Sequence, residues 1–221
     1  MENIINEFDL FIFDLDDTIV KTEKYHYEAW LLTLKSIIGE DFYIDYNFFC
    51  SKFHSMVENN IKNYLVDELK IKNYDTVIQY KNDVYLNIIK KNNSKIYLVD
   101  GLEVFLNKIL ENDKKFIIVS NSPKAHIDLF LDFFPILHKS SKNYYREILN
   151  KKKPNPECYQ KVVTEFPNKK IVGFEDSITG IHSITQVPEI FVYFINTEKY
   201  YYYKYIMNNY NVKFNNNYLE I

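Results

Sequence analysis

Asp14, Asp16, Asp17 and Thr18 follow the apolar run Leu10-Phe11-Ile12-Phe13 almost without a break, so a strand signal leads straight into three acids and a hydroxyl. An apolar run of this kind reads as a strand covered on both faces, as in a parallel sheet, ending at Asp14. Ligands of open α/β sheets gather at the carboxyl ends of strands, and crowded carboxylates repel one another unless a hard divalent ion neutralises them. These residues alone point to Mg²⁺ and a phosphate-bearing substrate. Three further polar clusters follow an apolar segment or open a helix: Ser120-Asn121-Ser122, Lys153-Pro154-Asn155-Pro156 and Glu175-Asp176-Ser177.

The elements that must position these clusters alternate. Helical patterns cover Leu102 to Glu111, Pro123 to Phe130, Pro156 to Phe166 and Thr179 to Thr185. Strand patterns cover Phe116 to Val119, Ile136 to His138, Lys170 to Phe174 and Ile190 to Ile195. That rhythm predicts an α/β fold with a Rossmann-like parallel sheet. Between the first strand and this series the pattern is helical: Lys24 to Ile38, Tyr46 to Phe53, Val57 to Leu69 and Tyr74 to Lys90, with turns at Gly39-Glu40-Asp41 and Lys72-Asn73. In the first of these helices, Tyr25, Ala29, Leu32 and Ser36 share a face. The chain is therefore expected to hold a discontinuous core, residues 1–19 and 95–221, with residues 20–94 inserted as an α-helical cap. A cap joined by two crossings can hinge and exclude water from a site. The tail from Asn196 reads as a helix and a short strand.

Composition narrows the function class. The 221 residues are 47% hydrophobic and carry a net charge of -3, which fits a globular protein without the basic stripe of a nucleic-acid binder. The tyrosine run at Tyr200 to Tyr203 is explained by the same AT-rich coding bias that favours Asn, Lys and Ile, rather than by base stacking. Cys50 and Cys158 are far apart and lack metal-ligand spacing, as expected of reduced thiols in a cytoplasmic protein. No signal peptide or membrane span is legible. A small-molecule partner is expected, with no nucleic acid or membrane and a monomer or weak dimer as the state. With only four glycines, Gly173 and Gly180 stand out by bracketing Glu175-Asp176.

Together the four clusters resemble the haloacid dehalogenase-type phosphohydrolases, in particular the β-phosphoglucomutase-like subfamily with a helical cap, over about residues 8 to 195. Asp14-Leu15-Asp16-Asp17-Thr18 resembles that family's D-x-D-x-T element. The resemblance implies that Asp14 is the nucleophile forming an aspartyl-phosphate and that Asp16 is the acid-base residue. Ser120 resembles the strand-end hydroxyl that binds phosphate, with Asn121 beside it. Lys153 matches the lysine of K-P-x-P, which contacts nucleophile and phosphate. Gly173 to Gly180 resembles G-x-E-D-S-x-x-G, implying that Asp176 and Glu175 join Asp14 and Asp16 in holding Mg²⁺. In the cap, His26 matches H-x-x-A-W and Lys81 a site-facing lysine.

One departure bears on the reaction. Met56 stands where β-phosphoglucomutases usually have an arginine for the second phosphate, and a thioether cannot bind phosphate, which leaves His54 or Lys52 to take that arginine's place. The resemblance therefore implies a Mg²⁺-dependent phosphatase for a small phosphorylated metabolite, a sugar phosphate or nucleoside monophosphate. A sugar-phosphate mutase is the alternative, and a non-catalytic binding module of the same fold comes third. Asp17 takes a position where the family commonly has glycine and is left without a role.

Overall fold

A computed structural model of the chain describes residues 1–53, 58–196 and 203–221. His54, Met56 and the tyrosines Tyr200 to Tyr202 lie outside the described residues, as does the side chain of Lys52. The described chain divides into two compact units, Met1–Lys21 with Tyr97–Ile221, and Thr22–Ile96. Each junction falls two residues beyond the expected boundary.

The first unit is a six-stranded parallel sheet in the order β3-β2-β1-β4-β5-β6. Its strands are β1 (Leu10–Phe13), β2 (Lys115–Val119), β3 (Lys142–Tyr144), β4 (Ile171–Glu175), β5 (Ile190–Ile195) and β6 (Lys213–Asn215). Its helices are α1 (Glu2–Glu7), α6 (Leu102–Glu111), α7 (Lys124–Phe133), α8 (Glu157–Glu165), α9 (Ile178–Ile184) and α10 (Tyr203–Asn209). From β1 the strand order runs outward in both directions, so β1 marks the switch point at whose carboxyl end a crevice forms.

The pleat sorts the side chains of β1. Phe11 and Phe13 meet Phe105 of α6 at 5.7 and 6.1 Å between ring centroids. Leu10 and Ile12 enter the opposite core with Tyr159 and Val162 of α8 and Ile181 and Ile184 of α9. Phe13 pairs with Ile118 on one side and Phe174 on the other, which brings Asp14 level with Val119 and Glu175. By the same alternation Asp14 and Glu175 belong to the α8 and α9 face.

The second unit is helical: α2 (Glu23–Ile38), α3 (Tyr46–Lys52), α4 (Glu58–Asn63) continued by a π-helical turn (Tyr64–Glu68), and α5 (Tyr74–Lys91). The helix α2 packs along α5. Trp30, Phe49, Phe53 and Tyr64 form its aromatic core, with Trp30 and Phe53 rings 4.8 Å apart. Asp45 caps α3 by accepting from Phe48 N at 3.0 Å.

Several sequence expectations are corrected. The strand expected at Ile136 to His138 is a 3₁₀ helix, Pro135–Lys139, because Pro135 sets a helical start that an extended strand cannot use. The strand of that region is β3, whose Lys142 and Asn143 give it no apolar signal. The buried face of α2 is Tyr25, Ala29, Trp30, Thr33 and Leu34, while Leu32 is exposed, since the buried stripe advances by steps of four, from Tyr25 to Ala29 to Thr33 and from Trp30 to Leu34. The helix expected from Val57 to Leu69 changes to π geometry after Asn63. The N-terminal α1 was not anticipated. Among the described residues, no helix is long and apolar enough to cross a membrane.

Candidate active site

Asp14 leaves the end of β1 with its N–H donating to Phe174 O at 3.0 Å, a bond that continues the β1–β4 ladder and fixes the backbone of the first acid. Its carboxylate is buried and accepts from Lys153 Nζ at 2.6 Å. The same ammonium donates to Glu175 Oε1 at 2.6 Å and to Val119 O at 2.8 Å, and lies 5.1 Å from the centre of the Tyr159 ring. Burial disfavours the Lys153 ammonium, but the carboxylates of Asp14 and Glu175 outweigh burial and hold its pKa above the usual lysine value. For Asp14 burial wins. Its pKa is raised well above the ordinary carboxylate value, with Lys153 opposing and the charges of Glu175 and Asp16 adding to the rise.

Asp14, Glu175 and Asp176 offer carboxylate oxygens that all lie within 4.8 Å of one another. Three carboxylates set against the one ammonium of Lys153 leave an excess of negative charge in a buried place. All the donor atoms are hard oxygens, so the set fits Mg²⁺. Thr18 Oγ1 donates to Asp176 Oδ1 at 3.2 Å. Asp16, expected among the metal ligands, is outside that cluster. Its Oδ2 accepts from Ser122 Oγ at 2.7 Å, a hydrogen bond that orients the carboxyl.

The remaining expected residues divide. Ser120 is buried at the end of β2, its Oγ accepting from Ser122 N at 2.9 Å. Asn121, expected at the phosphate site beside Ser120, turns its side chain to Lys153. Its Oδ1 accepts from Lys153 N at 2.9 Å and its Nδ2 donates to Lys153 O at 3.0 Å, so the amide braces the lysine backbone. His26 and Lys81 come together within the helical unit. Lys81 Nζ lies 2.8 Å from His26 Nδ1, and the His26 ring stacks on Tyr85 at 4.1 Å.

Other residues of the site were not singled out by sequence. Arg146 Nε donates to Asn121 O at 3.0 Å and steadies the Ser120 to Ser122 turn. Its signal was available, because it is the only arginine in the chain. Ser122 was legible only as a turn residue. Tyr159, whose hydroxyl donates to Glu175 Oε1, lies among twenty tyrosines and had no distinguishing mark. Gly180 is explained by close approach: a Cβ there would stand 1.8 Å from Glu175 Oε2. Asp17 has φ of 55°, in the left-handed region, and its N–H donates to Val20 O at 2.7 Å.

The site is an acidic crevice at the switch point of a parallel α/β sheet, with the buried Lys153 ammonium between the carboxylates of Asp14 and Glu175. The family model for haloacid dehalogenase-like hydrolases matches residues 8–187, and the chain belongs to that family. Its fold is similar to that of a haloacid dehalogenase hydrolase, family IA, variant 3, from Entamoeba histolytica, with TM-score 0.80 and 19% identity, covering 96% of this chain and 95% of the other. It is also similar to a protein from Haemophilus somnus assigned as a phosphoglycolate phosphatase, with TM-score 0.76, 16% identity, and 97% and 96% of the two chains covered. A Thermotoga maritima protein assigned as a β-phosphoglucomutase has TM-score 0.63 and 18% identity, with 85% of each chain covered.

Proposed function

We propose that the chain is a Mg²⁺-dependent phosphatase that hydrolyses a small phosphomonoester, such as a sugar phosphate or nucleoside monophosphate, through an aspartyl-phosphate at Asp14. The observation that carries this reading is the buried Asp14 carboxylate held 2.6 Å from Lys153 beside Glu175 and Asp176. The metal would be held by Asp14, Asp176 and Glu175. When bound, it supplies positive charge that offsets the carboxylates and the phosphoryl oxygens.

In the first step an Asp14 oxygen forms a bond to phosphorus as the bond to the leaving oxygen breaks, and protonated Asp16 gives that oxygen its proton. In the second, ionised Asp16 takes a proton from water as the water oxygen attacks phosphorus, releasing phosphate and restoring the Asp14 carboxylate. Ser122 keeps Asp16 directed at this exchange. Lys153 and the Ser120 hydroxyl stabilise the charge on the transferring group. For His26 and Lys81 the reading is substrate binding, with an imidazole and an ammonium suited to an anionic or hydroxylated group. The free thiols of Cys50 and Cys158 suit a reducing compartment such as the cytoplasm.

Hydrolysis of p-nitrophenyl phosphate tests the reading. Turnover should require Mg²⁺, stop with EDTA, and fall by roughly a thousandfold or more in Asp14→Asn, where the nucleophile is removed and the shape kept. Turnover that persists without metal, or in Asp14→Asn, overturns it. Screening phosphorylated metabolites with Mg²⁺ then identifies the substrate.

A further inference from the structure

The C-terminal residues reach the active site from beneath. After β6, Tyr218 N donates to Asp100 O at 3.0 Å, and Leu219 lies so close to Gly101 that a Cβ there would meet Leu219 Cδ2 at 2.8 Å. These contacts seat the Tyr218 side chain in the core, where its ring is fully buried against Phe13, Phe105 and Phe174, with centroids 5.8, 5.7 and 5.6 Å away. Phe13 and Phe174 are the strand residues next to Asp14 and Glu175. At the end of this ring the hydroxyl donates to the backbone carbonyl of Thr18, at 3.0 Å and buried. Thr18 closes the acidic loop, and its own hydroxyl donates to Asp176.

We propose that Tyr218 is a positioning residue for the carboxylate cluster: it fixes the Thr18 carbonyl and, through the Thr18 hydroxyl, the orientation of Asp176. This rests on the reading of Asp176 as a metal ligand. The geometry leaves the Tyr218 hydroxyl no substrate to touch. Its effect runs through a buried backbone acceptor, whose hydrogen bond is costly to lose away from water. A loop with that bond missing has more freedom, and a metal site with freer ligands binds its ion more weakly.

The test uses the full chain with Tyr218→Phe, which keeps the ring and its aromatic neighbours and removes only the hydroxyl. Mg²⁺ binding is read without turnover, from the rise of the melting temperature with Mg²⁺ concentration, and again as the Mg²⁺ midpoint for p-nitrophenyl phosphate hydrolysis. Loss of one hydrogen bond should raise both midpoints about fivefold, while KM for p-nitrophenyl phosphate at saturating Mg²⁺ stays within about twofold because no substrate contact is lost. Thr18→Val, with Tyr218 intact, should raise the midpoints comparably. The double variant should shift them no further than the larger single change, because the two residues act in series. A lower metal-free stability in Tyr218→Phe with an unchanged Mg²⁺ midpoint makes the residue merely structural and overturns the proposal, as do single effects that multiply. If the unmodified chain shows no Mg²⁺ shift, the metal site fails and this proposal fails with it.

Discussion

The third acid of the first loop is explained by its backbone. Asp17 adopts φ of 55°, and its N–H closes the turn onto Val20 O. Aspartate and asparagine enter the left-handed region more readily than other side chains, whereas a Cβ without a local polar group costs roughly 1–2 kcal/mol there. Asp17→Asn should therefore keep turnover within a few-fold, whereas Asp17→Ala should lower the unfolding free energy by about 1 kcal/mol. Urea melts and p-nitrophenyl phosphate rates on the two variants check this. If Asp17→Asn fell as far as Asp14→Asn, the charge of Asp17 would belong to the chemistry instead. The same scale separates Asp14 from Asp16. Asp14 accepts from the Lys153 ammonium and Asp16 from the neutral Ser122 hydroxyl, and the proposed reaction gives these two acids the separate roles of nucleophile and proton donor.

At the scale of elements, the short helix α9 connects packing to the site. Its cap Ser177 accepts from Gly180 N at 2.9 Å and donates to Glu175 Oε2 at 3.4 Å, so helix start and carboxylate share one hydroxyl. Ser177→Ala should cost about 1 kcal/mol, the usual value of an N-cap. Gly180→Ala should cost more, about 1–3 kcal/mol, because the added methyl meets a carboxylate already fixed by Lys153 and Tyr159 and unable to move aside. Denaturant midpoints of the two variants give the order, and a milder Gly180→Ala would mean that Glu175 is loosely held. The glycine and the serine were legible because turn and cap chemistry is local. β1, α6 and β5 were legible for the same kind of reason, their apolar periods being long enough to read. β3 was not, since three residues beginning Lys142-Asn143 carry no period and take their place only by pairing with β2. Tyr218 and the His26–Lys81 pair were invisible as partners because each contact joins residues far apart in the chain. The bracing of Lys153 by the Asn121 amide was illegible for a related reason: a strand-end position fixes where a residue sits but not which backbone its side chain binds.

At the scale of the whole molecule, the site opposes the stability of the fold that builds it. A buried Asp14 has a pKa raised well above 3.8, its ordinary value, so between that pH and its folded pKa the native chain binds more protons than the unfolded one. Asp14 therefore makes a contribution to the stability of the metal-free protein that falls as pH rises through that window. The carboxylates with lowered pKa, Asp9, Glu157, Glu165 and Glu220, act with the opposite sign, but their contribution is complete above about pH 5, beyond the ordinary carboxylate values. Lys153, with its raised pKa, stays charged in both states across this range and adds no slope. On the proposed reading Mg²⁺ would reverse the balance, because it would bind the ionised native cluster, and at a hundredfold excess over its Kd it would stabilise by about 2.7 kcal/mol. With EDTA, the melting temperature of the unaltered chain relative to Asp14→Asn should therefore fall as pH rises from about 4 through the folded pKa of Asp14; saturating Mg²⁺ should reverse that trend. Melting curves of the two chains across this pH range, with and without metal, decide the matter. A metal-free difference between the two chains that did not change with pH would mean that Lys153 alone compensates Asp14, and the metal would then be needed for the reaction but not for holding the carboxylates together.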